Sequence, residues 1–142
     1  VARDILQAAR DENNERLEAR TLLLLGEVDL ARGGWDAAVT ATGEALGIAE
    51  RLGDPGLAFA ARTNLADAWL ELGNTAAARP YLEALVGERP AHTDVQKLQA
   101  RMAWETGDAA AASEFMAEAR NGAGERWTDE DEEALNRYRS GD

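Results

Sequence analysis

Between Leu70 and Leu85 the chain reads LELGNTAAARPYLEAL. Leu70 and Leu72, then Tyr81, Leu82 and Leu85, sit among polar residues with the look of an amphipathic helix, and a break at Gly73-Asn74 cuts it in two. Thr75 and then three alanines follow the break. The same device recurs as ARGGWDAA around Gly33 and ETGDAAAA around Gly107, so that the turn glycines are 40 and then 34 residues apart. Glycine adopts the left-handed conformation that closes a helix, and Asn74 or Asp108 directly after it can cap the next one. Each break is therefore the tight turn of a helical hairpin, and Ala38, Ala78 and Ala112 let its two arms come close.

Further punctuation predicts the remaining helix starts. Asp54-Pro55 is a cap followed by proline at the first helical position. Thr93 to Gln96 has the spacing of a capping box, and Thr128 precedes three acidic residues that suit a helix N-terminus. The pattern predicts helices over 2–10, 15–32, 35–51, 56–72, 75–87, 94–106, 109–121 and 129–139. Two-helix units repeating at such a period predict an all-α fold, an α-α superhelix of antiparallel helix pairs, forming one domain over 1–142. Within it, 1–14 is a partial unit, 15–53, 54–91 and 92–123 are three repeats, and 124–142 is a polar capping helix.

Composition agrees: leucine and alanine dominate, and isoleucine occurs only at Ile5 and Ile48. No cysteine is present, which removes disulfides and thiolate chemistry. The apolar run within Thr21–Gly26 is far too short to span a bilayer, and Arg3, Asp4 and Arg10 interrupt any signal-peptide core. A cytoplasmic location is the expectation. A formal charge of −12 argues against nucleic acid or an anionic membrane as partner.

The residues at these positions resemble the tetratricopeptide repeat, a helix-turn-helix unit of about 34 residues. In the middle repeat Leu65, Ala66, Trp69, Gly73, Ala78, Leu82 and Pro90 fall on its pattern; in the first, Leu22, Leu25, Gly26, Gly33, Trp35, Ala38 and Ala45 do. Asp29 stands in an aromatic slot and Thr42 in a large apolar one, and the third repeat has Gln96 and Gln99 at apolar positions. The 40-residue spacing implies a longer second helix in the first repeat.

The resemblance implies a right-handed solenoid whose inner groove is lined by the first helix of each pair. By that register the groove takes Arg20, Leu23 and Glu27 from the first repeat, Asp67, Leu70 and Glu71 from the second, and Lys97, Arg101 and Trp104 from the third. Acidic at one end and basic at the other, with leucines and Trp104 as anchors, it would take a peptide or helix carrying apolar and basic side chains. Leu23 and Glu27 stand where the co-chaperone members of the family hold a peptide carboxylate, which these side chains cannot do.

Catalysis has little to work with. His92 is the only histidine, and the run Thr128–Glu133 lacks the spaced ligands of a calcium loop, so neither a metal nor another cofactor is expected. The expectation is a non-catalytic protein–protein interaction module. Alternatives are a self-associating segment, since Ile5 and Leu6 have no upstream partner, and an accessory region of a larger bacterial regulator.

Overall fold

The computed structural model describes residues 2–11 and 14–141. Eight α-helices follow one another among them: α1 (Ala2–Asp11), α2 (Glu15–Ala31), α3 (Trp35–Leu52), α4 (Pro55–Glu71), α5 (Thr75–Glu88), α6 (Thr93–Glu105), α7 (Ala109–Ala123) and α8 (Asp129–Ser140). One 3-10 turn, Gly124–Arg126, precedes the last helix, and the described residues form no strand. The helix ends fall within one or two residues of those the punctuation predicts.

That agreement has a local cause. At Gly107 (φ 88°) the N–H of Asp108 donates to Ala103 O at 2.8 Å and that of Gly107 donates to Trp104 O at 3.1 Å. This Schellman pair satisfies two carbonyls that the end of α6 would leave free. The same two bonds close α2 at Gly33, α3 at Gly53 and α4 at Gly73. Asp108 then restarts the chain, its Oδ1 accepting from Ala111 N at 3.0 Å. α3 and α4 run for 18 and 17 residues against 14 and 13 in α5 and α6, so both helices of the first interval lengthen the first spacing.

The chain divides into two compact units, Val1–Asn74 and Thr75–Asp142. The division runs through the Gly73-Asn74 break, inside the residues that the repeat register groups as 54–91.

In the first unit α2 packs on α3, α3 on α4, α1 on α2, and α2 also meets α4. Ala19, Ala38 and Ala45 are fully buried there. The closest approach is at Gly26, where a Cβ would stand 2.3 Å from the Thr42 hydroxyl oxygen. Thr42, the residue that departs from the large apolar slot, is itself buried, and a bulkier side chain would meet the backbone of α2. Asp54 joins two ends: its Oδ1 accepts from Leu57 N at 3.1 Å to cap α4, and its other oxygen pairs with Arg16 in the first turn of α2. Arg51 and Glu15 form a second pair at 2.8 Å between α3 and α2.

In the second unit α6 packs on α7, α5 on α6 and α8 on α7. Ala100, Ala112, Met116, Leu135 and Tyr138 form one cluster of its core, and Leu85 and Val95 are fully buried as well. Pro80 lies inside α5, where it removes one N–H near the helix start at an exposed position. One predicted cap is corrected. His92, not Thr93, is the N-cap of α6, and its Nδ1 accepts from Asp94 N at 3.2 Å. Thr93 is instead buried and faces Gly122 on α7, where an added Cβ would come within 3.3 Å of its hydroxyl. At α8 the capping box is complete: Asp131 N donates to Thr128 Oγ1 at 3.1 Å and Thr128 N to Asp131 Oδ2 at 3.0 Å.

Candidate functional site

The basic end of the expected groove is closed by α8. Lys97 Nζ reaches Asp131 Oδ2 at 2.7 Å and lies 5.6 Å from the centre of the Trp127 ring. Trp104 packs on Tyr138 with ring centroids 5.0 Å apart, and Arg101 Nε binds Glu105 Oε1 on its own helix at 2.9 Å. Trp127 Nε1 donates to Glu132 Oε2 at 2.7 Å, while Arg120 of α7 reaches the other oxygen at 3.4 Å. Asp131, Leu135 and Tyr138 recur at helical spacing, so one face of α8 carries both the ion pair and the apolar contact onto α6. Lys97 and Trp104 therefore fasten the last helix rather than face an open groove.

Burial works against charge on Asp131. The hydrogen bond from Lys97, the Thr128 backbone N–H and the Lys97 charge outweigh it, and the carboxyl is held below its ordinary value. Burial raises Tyr138 above its usual phenolic range, against the nearby charges of Arg101 and Arg137. His92 has a structural role as a helix cap. Among the described residues no three or more His, Asp or Glu side chains converge to hold a metal ion.

The leucine anchors are also corrected. Leu23 is 8% exposed and Leu70 1% exposed, so both belong to the core and can anchor nothing external. Arg20, Glu27 and Glu71 are exposed and Asp67 partly so. Arg20 and Glu27 border apolar residues that the register passed over: Leu17, Leu24 and Val28 are 37, 50 and 36% exposed on α2. Four consecutive leucines, Leu22 to Leu25, hide this in the sequence, because nothing local tells the buried Leu22 and Leu23 from the half-exposed Leu24.

A further surface was not foreseen. In the second unit a cavity of about 440 Å³ opens between α5, α6 and α7. Leu82 and Val86 of α5, Met102 and Ala103 of α6 and Phe115 of α7 form its apolar walls, and Arg79, Glu83, Gln99, Thr106 and Asp108 supply polar groups. Its size and its mixture of apolar wall and few polar groups suit a bound apolar body held in one orientation. The signal was present in the spacing of Met102 and Phe115 across the Gly107 turn, but reading it required knowing where α5 lies.

No helix among the described residues is long and apolar enough to cross a membrane. No protein-family model, curated protein or solved structure matches the chain.

Proposed function

We propose that the chain is a protein-interaction module of tetratricopeptide type, without chemistry of its own, and that it takes an apolar side chain of a partner segment into the cavity between α5, α6 and α7. The cavity carries this reading: apolar walls with Arg79 on one side and Glu83 and Asp108 among the polar groups. Met102 and Phe115 are well suited to such a wall, since a thioether adapts its shape and an aromatic ring offers a large rigid contact. The surplus of 27 acidic over 15 basic residues favours a segment with lysine or arginine beside its apolar anchor. The tetratricopeptide assignment is supported by the left-handed glycines at Gly33, Gly73 and Gly107, each ending one helix two residues before the next begins. The groove first expected loses its leucines to the core and its basic end to α8, so the binding position moves to the cavity.

Selection from a displayed library of random peptides tests this. Clones combining an aromatic or aliphatic anchor with basic neighbours should be enriched on the wild type. They should be lost on Ala111→Trp, which fills the cavity from α7. Equal capture by both proteins, or no enrichment, would refute the reading.

A further inference from the structure

Leu17, Leu24 and Val28 are exposed at spacings of seven and four residues, those of a coiled-coil seam whose remaining position, Thr21, is buried. On a helix of about 100° per residue, Leu17, Leu24 and Val28 fall within about 40° of one line. Gly26, which meets Thr42 of α3, lies on the opposite side of α2. α1 approaches through Leu6 toward Leu22 and Leu25, on the flank of the line beyond Thr21. The opposite flank carries Arg20 and Glu27, both exposed and seven residues apart.

We infer that α2 is the contact of a two-fold dimer in which this helix pairs antiparallel with the same helix of a second copy. Charge complementarity selects that occupant. In an antiparallel pair related by a two-fold axis, each flank meets the identical flank of its partner. The register that sets Leu17 against Val28, with Leu24 over the buried Thr21, also sets Arg20 of each copy beside Glu27 of the other. The stripe and its charged border are thus self-complementary, and one register satisfies both twice over. A parallel pair would lay the Arg20 and Glu27 flank against the other flank of its partner, where Leu25 stands, and lose this match. The contact is one helix wide, so the dimer is weak, with a dissociation constant on the order of 100 µM. A formal charge of −12 on each copy opposes assembly at low salt. At physiological ionic strength the screening length is about 8 Å, which mutes that repulsion more than the close pairs.

Sedimentation equilibrium of the whole chain at physiological salt, from about 10 µM to about 1 mM, tests the inference. The wild type should be a reversible dimer. Arg20→Glu and Glu27→Arg should each weaken it about tenfold, because each substitution replaces two attractions by two repulsions. The double exchange should return the constant to within about threefold of the wild type. All these positions are exposed, so the variants should match the wild type by circular dichroism. Ala111→Trp, which blocks the cavity, should leave the dimer intact and so separates this surface from the peptide site. A wild type that stays monomeric throughout would overturn the inference. So would a dimer indifferent to either single reversal, or a double exchange weaker than both.

Discussion

Gly26 and Thr42 offer a test of how closely α2 and α3 are fitted. A Cβ at Gly26 would lie 2.3 Å from Thr42 Oγ1, but 3.6 Å from Thr42 Cβ and 3.6 Å from the Ala38 carbonyl. The obstruction is therefore one oxygen, and the remaining contacts are ordinary. Thr42 is buried at close packing, which leaves its side chain little room to turn. Gly26→Ala should gain about 1 kcal/mol of helix propensity and lose about 3 kcal/mol to overlap, a net loss near 2 kcal/mol. Thr42→Ala should be close to neutral. It gives up a buried methyl group, about 1 kcal/mol, and removes a buried hydroxyl that has no hydrogen-bond partner, a relief of similar size. In that background Gly26→Ala should become stabilising by about 1 kcal/mol, so the coupling between the two sites is about 3 kcal/mol. Urea unfolding of the four proteins, followed by circular dichroism, measures it. If Gly26→Ala costs the same with threonine or alanine at position 42, the oxygen is not the obstruction and the reasoning fails.

Two other predictions concern the second unit. Asp131 sits below its ordinary value of 3.8 in the folded chain, so its contribution is complete above that value and is lost as pH falls through the lower folded one. Acid titration followed by Trp127 fluorescence should show α8 loosening below about pH 3.8, and Asp131→Asn should flatten that response. His92→Ala removes the side-chain acceptor at the start of α6 and should cost about 1 kcal/mol in urea, while His92→Asn should retain most of it. Equal losses for both would mean that the 3.2 Å contact with Asp94 N adds nothing.

The features legible in the sequence are those decided within a few residues. A glycine in the left-handed region, an aspartate able to cap and a proline at a first position all act on their neighbours, and the helix ends follow them closely. The Thr93 misreading shows the limit. Two polar residues in succession can both cap, and the choice fell to His92 because Thr93 is drawn inward toward Gly122. Features decided at long range were not legible. Lys97 and Asp131 lie 34 residues apart, and no local pattern announces that α8 returns across α6. The departure at Thr42 looked like a flaw in the repeat while position 42 was read alone. Set against Gly26 it becomes a matched pair, a small side chain facing an absent one.

The lysine that fastens α8 is the only one in the chain, beside fourteen arginines. Its ammonium is held by Asp131 and the Trp127 ring, and the side chain is 24% exposed. Acylating or carbamylating reagents need the free, deprotonated amine, and a guanidinium does not compete for them under mild conditions. The folded protein thus carries one side-chain amine, and α8 covers part of it while the ion pair is closed. The rate at which Lys97 is modified should rise as the last helix opens, much as amide exchange does for a backbone. Modification would also hold the chain open: an acylated Lys97 has no charge with which to hold Asp131, so each chain labelled while open has lost the ion pair that closes it.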